Sequence, residues 1–186
     1  LILTAVDVFA VPWMREALAS SAPESAPDID GHVVVCGYTP RTEAFVSELD
    51  ARDHESLLVV SDPETARDLH EDGYRVILGD PEATGTLENA RLGEAVALVS
   101  DVADDANASV ALAAREAAPD VPVVTLVEDA DLERSHRAAG VERVLSPRQL
   151  LGESLAAEVP TAVTTDLAEV AIGDDFELAE LTVSEG

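Results

Sequence analysis

One short segment of the chain combines residue types and a spacing that suit phosphate binding. It is the run His32-Val-Val-Val-Cys-Gly-Tyr-Thr-Pro-Arg-Thr-Glu43, in which an apolar strand leads into a sharp turn and then the start of a helix. A helix N-terminus presents free N–H groups and the positive end of the helix dipole, so it attracts phosphate. We therefore expect an anion or nucleotide site, with Arg41 as the charge partner, formed by Gly37, Tyr38, Thr39, Arg41 and Thr42.

The glycine fingerprint of dinucleotide-binding turns is incomplete in this segment. The pattern Gly-x-Gly-x-x-Gly would place glycines at positions 37, 39 and 42, but only Gly37 is present, and Thr39 and Thr42 stand at the other two. Glycines let the backbone come close to a pyrophosphate, whereas side chains narrow that approach. Two interpretations stay open: a selective nucleotide or anion site, or a turn that only builds the fold.

A second candidate is Asp62, at the end of the next apolar strand. It follows Gly37 by 25 residues, somewhat beyond the spacing of about 20 at which an acidic residue binds ribose hydroxyls in dinucleotide folds. A carboxylate there disfavours a 2′-phosphate, so NAD(H), AMP or ADP is favoured over NADP. Alternatively, Asp62 is the N-cap of the next helix, because Pro63 follows it directly.

Acidic residues also follow the fourth and fifth predicted strands. Ligands of open α/β sheets bind at the carboxyl ends of strands, and oxygen-rich clusters suit hard cations, so these residues are candidates for a cation site. Asp101 is expected to contact a nucleotide as well. The alternative is chance clustering in a chain with 38 acidic residues. The residues concerned are Asp101, Asp104, Asp105, Glu128, Asp129 and Asp131.

Composition bounds the remaining chemistry. The net charge is −27, and all 11 basic residues are Arg. Molar salt shortens the Debye length to roughly 3 Å and screens such self-repulsion, so we expect a protein from a salt-loving organism. Nucleic acid is a poor partner, because phosphate binding needs clustered basic residues. Without Lys there is no Walker A motif and no Schiff base. The four His show no metal-ligand spacing, and we expect them to be solvated or half-buried.

Apolar strands alternate regularly with helical segments from residue 32 onward. The strands are rich in Val, Leu and Ile without polar alternation, which suits a parallel sheet covered on both faces. Right-handed crossovers then predict an α/β, doubly wound, six-stranded parallel sheet of the Rossmann type, in the order 3-2-1-4-5-6. An extra helix near 148–158 is expected to form an interface. The predicted strands are 32–36, 57–61, 75–78, 96–99, 122–127 and 142–145; the predicted helices between them are 40–52, 63–72, 84–91, 103–118 and 129–139.

The segments that flank this Rossmann-like domain, residues 32–158, differ from it in composition. Residues 1–19 are apolar but interrupted by charge and proline, and suit either the cytoplasmic end of a transmembrane helix or a helix packed on a neighbouring subunit. Residues 20–31 have the composition of a linker. Residues 159–186 are expected to form a connector and then the first strand, near 176–183, of a truncated C-terminal domain.

Residues 32–158 resemble the N-terminal half of the RCK domain, also called TrkA-N, the regulator of potassium conductance. The resemblance implies a ligand sensor that pairs or assembles into a larger ring and is attached to a potassium channel or transporter. It also implies that Gly79 and Asp80 lie near an adenine or ribose, and that Ca²⁺ binds Asp101 and Glu128, which match two acidic positions of some channels in the family. The residues that carry it are Val-Val-Val-Cys-Gly37, Val60-Ser-Asp62, Gly79-Asp80-Pro, Asp101-Val-Ala-Asp-Asp-Ala-Asn107 and Ala-Gly140-Val-Glu-Arg-Val-Leu-Ser-Pro147.

We therefore expect a regulatory binding module at the cytoplasmic face of the cell membrane that responds to a nucleotide, a cation or both, and no enzyme activity. One alternative is the NAD-binding fragment of an oxidoreductase lacking its substrate domain, which would place catalytic groups beyond residue 186. Another is a soluble subunit that docks on a separate membrane transporter.

Overall fold

The computed structural model describes residues 22–159, which form an α/β domain on one parallel sheet followed by a terminal helix. Strands and helices alternate along this range, and short 3-10 turns lie at Leu92–Glu94 and Ala130–Leu132. The elements are β1 Val33–Cys36, α1 Pro40–Ala51, β2 Ser56–Val60, α2 Pro63–Glu71, β3 Val76–Leu78, α3 Thr84–Asn89, β4 Ala97–Ser100, α4 Asp104–Ala117, β5 Val123–Leu126, α5 Glu133–Ala138, β6 Arg143–Leu145 and α6 Pro147–Glu158.

The strand order is β3-β2-β1-β4-β5-β6, which confirms the doubly wound parallel sheet expected from the sequence. Strand β1 lies at the centre: Cys36 is opposite Val59 of β2 on one side and Ser100 of β4 on the other. The chain leaves β1 outward through β2 and β3 and returns to the other side at β4. The carboxyl ends of β1 and β4 therefore form the topological switch point, where open α/β sheets bind their ligands.

Aliphatic side chains cover both faces of the sheet. Only 3% of the residues are aromatic, so Val, Leu, Ile and Ala fill the core, and the Ala-rich α4 packs through Val110, Ala111 and Ala114. This packing keeps the strand ends in register, which positions the loops that follow them. The first face buries Val34, Leu57, Ile77 and Leu98 beneath α3 and α4; the second buries Val35, Leu58 and Val76 beneath α1 and α2.

Two predicted helices are shorter than expected, whereas the other predicted bounds lie within one residue of those observed. The helix predicted at 84–91 ends at Asn89, because Arg91 adopts a left-handed φ of +54° and a 3-10 turn follows. The helix predicted at 129–139 is α-helical only from Glu133 to Ala138. Its expected first turn is diverted because the N–H groups of Glu128 and Asp129 donate to the Asp104 carboxylate instead.

The described part of the linker-like segment, residues 22–31, follows the edge of the domain; we call it the N-terminal strap. Leu78 N–H of edge strand β3 donates to the Pro23 carbonyl at 2.8 Å, so the strap covers part of an otherwise open strand edge. Arg91 fastens the strap's far end through an Nε bond of 3.1 Å to the Ile29 carbonyl and an ion pair of 3.0 Å to Asp28. Ile29 is only 6% exposed.

The chain divides into two compact units, residues 1–150 and 151–186, so the boundary falls within α6. No helix between residues 22 and 159 has both the length and the apolar character to cross a membrane. The apolar segment 1–19 and the strand expected near 176–183 lie outside the described residues.

Arg91→Ala should loosen the N-terminal strap, because it removes the bond to Ile29 and the ion pairs with Asp28 and Glu94. We expect the free energy of unfolding in denaturant to fall by about 1–2 kcal/mol, the scale of one hydrogen bond to a charged group. Hydrogen exchange should become faster at the Ala26 amide of the strap, which donates to the Asn89 carbonyl at 2.9 Å. The control is Arg67→Ala, an exposed arginine whose acidic partners lie on its own helix. An equal loss in both variants would contradict the role given to Arg91.

Candidate functional site

A cleft opens at the carboxyl ends of β1 and β2, beside the topological switch point. Three residues predicted from the sequence line it, Gly37, Tyr38 and Asp62, together with Val60 and Val102. Its volume is about 140 Å³, below the roughly 300–1,000 Å³ of typical small-molecule sites. The cleft can therefore enclose only part of a small-molecule ligand, and it is too small for a whole dinucleotide.

Gly37 begins the turn after β1 with a backbone φ of +90°. A Cβ at this position would lie 2.7 Å from the Asp101 carbonyl oxygen and 3.0 Å from Val102 Cγ1. Both the conformation and the close approach of the β4–α4 loop therefore require glycine. The Gly37 N–H donates to the Val59 carbonyl at 3.0 Å, so this amide belongs to the sheet.

The side chains of Thr39 and Thr42 accept hydrogen bonds from backbone N–H groups at the start of α1. Thr39 N–H donates to Thr42 Oγ1 at 2.7 Å, and Thr42 N–H donates to Thr39 Oγ1 at 3.3 Å, which is a reciprocal capping box. Pro40 has no N–H to offer. Most of the amides that would form a phosphate cradle at this helix N-terminus are therefore absent or already bonded.

Asp101, directly after β4, ties this helix start to the other side of the switch point. Its carboxylate is 2% exposed and accepts a hydrogen bond of 2.6 Å from Thr39 Oγ1. Arg41 binds both of its oxygens, Nε to Oδ2 at 3.0 Å and Nη2 to Oδ1 at 2.8 Å. This is the bidentate geometry of strong arginine–carboxylate pairs, so the protein places its own anion at the start of α1.

Arg41 continues the contact toward β5 and α6. Its Nη1 donates to Glu128 Oε1, and Arg148 Nε lies 3.3 Å from Glu128 Oε2. We call Asp101, Arg41, Glu128 and Arg148 the charge row; its formal charges cancel. The hydrogen bonds to Asp101, and then those to Glu128, raise the pKa of the Arg41 guanidinium above its ordinary value, so Arg41 stays charged.

Asp62 is the N-cap of α2, as one of its two interpretations predicts. Its Oδ2 accepts from both the N–H and the Oγ1 of Thr65, each at 2.7 Å. These bonds, the hydroxyl bond first, lower the pKa of the carboxyl below its ordinary value. Both end on the same oxygen, so capping does not use the whole carboxylate, and a ribose contact remains compatible with it.

The other predicted nucleotide contacts differ in their distance from the cleft. Tyr38 lines it and packs edge-to-face on Tyr74, with ring centroids 6.3 Å apart. Gly79 is fixed by packing, because a Cβ there would lie 2.6 Å from Thr86 Cγ2. Asp80 Oδ1 accepts the Glu82 N–H at 3.0 Å and so forms a turn; Pro81, not Gly79 or Asp80, lines the cleft. Their roles toward a ligand stay predictions.

The two residues predicted to bind a cation are brought together, but around an arginine. The Arg41 guanidinium bridges the carboxylates of Asp101 and Glu128, so Ca²⁺ would have to displace it. Within residues 22–159, no group of three or more His, Cys, Asp or Glu has an arrangement that could hold a metal ion. The metal site stays a prediction.

Two histidines expected to be solvated or half-buried are buried, so that expectation was wrong for them. His32 is fully buried with Nε2 3.0 Å from the Ala90 carbonyl oxygen. His136 is 1% exposed, with Nδ1 2.9 Å from Thr125 Oγ1 and Nε2 3.0 Å from the Asp104 carbonyl oxygen. The partners of His136 offset its loss of hydration, whereas for His32 only Nε2 has a hydrogen-bond partner and Nδ1 is buried without one among the described residues. The amino-acid spacing carries no signal for either burial.

Sequence reasoning also missed the residues that brace the β4–α4 loop and the charge row. Buried Asn107 donates through Nδ2 to the Leu126 carbonyl at 2.8 Å and accepts the Val102 N–H at 3.2 Å. Arg148 joins Glu128 from the first turn of α6. For Asn107, the available sequence signal was an Asn at the fourth position of a helix that begins with two acidic residues. No such signal pointed to Arg148.

A larger groove lies at the opposite end of the sheet, before β2 and β3. Its volume is about 670 Å³, yet it lacks the switch-point geometry that binds ligands in these folds. Its polar lining repels phosphate, because carboxylates outnumber the single arginine there. The charged lining residues are Asp50, Asp53, Glu55, Asp72 and Arg75.

Comparison with known proteins identifies the family to which this fold belongs. A family model described as the TrkA-N domain matches residues 33–147. The probable potassium channel protein 2 of Methanocaldococcus jannaschii is 27% identical over 133 residues, which cover 69% of this chain and 38% of that protein.

Several solved structures are also similar to this chain. The crystal structure of GsuK bound to ADP has a TM-score of 0.72 and 26% identity over 84% of this chain and 42% of that chain. The GsuK channel bound to NAD has a TM-score of 0.70 and 26% identity over 82% of this chain and 28% of that one. The TrkA-N domain of the Escherichia coli inner membrane protein ybaL shares the fold, with a TM-score of 0.66 at 19% identity over 72% of this chain and 99% of that domain. The chain spans less than half the length of the channel proteins that it matches.

Gly37→Ala should destabilise the domain, because the added Cβ meets the Asp101 carbonyl and the backbone is held at a positive φ. We expect a loss of about 1–3 kcal/mol, the cost of a residue forced into a sparsely populated conformation, measured by denaturant unfolding. Gly85→Ala is the matched control: it lies in α3 with nothing within 4 Å of the new Cβ, so stability should stay equal or rise. If Gly37→Ala costs no more than Gly85→Ala, the turn does not require glycine.

Proposed function

Because the chain belongs to the TrkA-N domain family, we propose that it is the ligand-sensing regulatory domain of a potassium channel or potassium uptake system, at the cytoplasmic face of the cell membrane. The ligand is an adenine nucleoside or nucleotide whose base and ribose enter the cleft beside Gly37. The observation that carries this proposal is the position of the cleft at the switch point of the sheet, with an acidic residue at the end of β2.

The lining of the cleft suits the two halves of a nucleoside. Val60 and Val102 supply apolar walls for a flat base. The Asp62 carboxylate supplies an acceptor for ribose hydroxyls while it caps α2 through one oxygen. The relatives support an adenine ligand, since GsuK, at 26% identity, has been solved with ADP and with NAD.

Signalling requires that ligand binding favour one arrangement of the assembled domains over another. The charge row runs from Asp101 beside the cleft to Arg148 at the start of α6. Leu151 and Leu155, one helical turn apart on α6, are 60% and 59% exposed. We propose that this face pairs with a second copy of the domain, in a homodimer or a larger ring, and that the pair acts on the membrane domain of a potassium channel or transporter.

Other ligands and activities fit the site less well. An NAD-binding fragment of an oxidoreductase needs a pyrophosphate cradle, and the capping box of Thr39 and Thr42 closes the one at α1. Regulation by Ca²⁺ at Asp101 and Glu128 would require the cation to displace Arg41. A binding role is therefore favoured over catalysis, and a nucleoside over a cation.

Isothermal titration calorimetry in molar KCl tests the ligand class with adenosine, AMP, ADP and NAD. We expect heat of binding for at least one of them. Asp62→Asn should weaken it about tenfold, the value of one lost charge-assisted hydrogen bond, because Asn keeps the helix cap and removes the acceptor charge. The control is Asp120→Asn, an exposed residue before β5, with unchanged affinity expected. Absence of binding by all four compounds would refute the sensor.

Leu155→Glu tests the pairing face on α6. It should convert dimers to monomers in sedimentation velocity at micromolar concentration, because it puts a charge into the proposed apolar contact, while circular dichroism stays unchanged since the side chain is 59% exposed. Leu112→Glu on α4 is the matched control, because Leu112 has the same exposure. Dissociation by the Leu112 variant alone would place the interface elsewhere.

A further inference from the structure

We propose that Asp101 makes the cleft selective for uncharged nucleosides over nucleotides that carry a pyrophosphate. This inference rests on the proposed function, since it names which adenine ligands the cleft accepts. The expected order of affinity is adenosine, then AMP, then ADP and NAD.

The position of the Asp101 carboxylate is the first reason. In dinucleotide-binding turns, a pyrophosphate lies at the N-terminus of the helix after β1. Here a carboxylate that is only 2% exposed lies there and accepts a bond of 2.6 Å from the N-cap hydroxyl of Thr39. A phosphate at the same place would meet a like charge with little water to screen it.

The state of the nearby donors is the second reason. The amides of Thr39 and Thr42 are bonded to each other's hydroxyls, and position 40 is Pro. Arg41, in the first turn of α1, already donates through Nε, Nη1 and Nη2 to Asp101 and Glu128. A phosphate that captured Arg41 would leave the buried Asp101 charge without its cationic partner, which is strongly unfavourable.

The cleft itself imposes no such penalty on a nucleoside. Its lining residues Val60 and Asp62 come from the end of β2 and Val102 comes from the β4–α4 loop, and the bonded groups of Thr39, Arg41, Thr42 and Asp101 are not part of that lining. A base and ribose can enter there while Arg41 keeps both carboxylates. Selectivity then follows from the phosphates alone, in contrast to GsuK, which has been solved with ADP and with NAD.

Calorimetry of the full chain with adenosine, AMP, ADP and NAD, in molar KCl, tests this order. For the wild type, we expect adenosine to bind at least about tenfold more tightly than ADP or NAD. Asp101→Asn keeps the size and an acceptor oxygen but removes the charge, and should raise the affinity for ADP and NAD about tenfold with adenosine unchanged. The matched control is Glu48→Gln, which removes one exposed acid of α1 that is paired with Arg52, the residue after this helix, and should leave the ratio unaltered.

A second variant tests the same inference independently, in case Asp101→Asn does not fold. The double change Thr39→Gly and Thr42→Gly frees the amides and should also shift the ratio toward ADP and NAD. Wild-type binding of ADP or NAD at least as tight as that of adenosine would overturn the inference while the proposed adenine site survives. Equal shifts in Asp101→Asn and Glu48→Gln would also overturn it, because the overall negative charge would then cause the selectivity. Absence of any binding would instead refute the proposed function.

Discussion

The contact between the Asp101 carboxylate and the start of α1 determines how the ligand end of this domain is built. The backbone carbonyl of Asp101 approaches position 37 so closely that only glycine fits there. Its side chain binds the N-cap hydroxyl of Thr39 and both oxygens engage Arg41. One residue at the end of β4 therefore accounts for the glycine that the turn keeps. It also accounts for Thr39 at the position where the dinucleotide fingerprint has its second glycine. The hydroxyl of this N-cap residue donates to the Asp101 carboxylate, and a glycine has no side chain to do so.

Salt acts differently on this contact and on the rest of the surface. Exposed pairs such as Arg52–Glu48 and Arg137–Glu133 join residues four positions apart in the sequence and contribute little even in dilute buffer. In molar salt, with a Debye length of roughly 3 Å, they weaken further. The Asp101 side chain is 2% exposed, so its bonds are screened much less. A chain with a net charge of −27 therefore retains the specific contact under the conditions that relieve its general repulsion.

The sheet order could be predicted because its signals are local. Apolar runs such as Val33–Cys36 are bounded by glycine, proline or acidic residues, and each boundary is set by neighbours in sequence. The N-cap at Asp62 was predicted for the same reason, since Pro63 follows directly. The pairing of Arg41 with Asp101 could not be predicted: the two residues are 60 positions apart, and only the folded sheet brings them together. The burial of His136 depends likewise on Thr125 and the Asp104 carbonyl, and the strap depends on Arg91, whose left-handed φ has no sequence signature.

The cleft and the charge row meet at two consecutive residues, and this adjacency gives the proposed sensor a physical route. Val102 lines the cleft, whereas Asp101 begins the charge row that ends at Arg148 on α6. Asn107 holds the loop between them by bonding both the N–H and the carbonyl of Val102 and the end of β5. A ligand that displaces Val102 must therefore strain either Asn107 or the bonds of Asp101 to Arg41. A ligand that fits without displacing it instead stabilises the loop as it stands. In the first case the energy of binding is coupled to the geometry of the charge row, and we propose that this coupling reaches the helix that joins two copies of the domain.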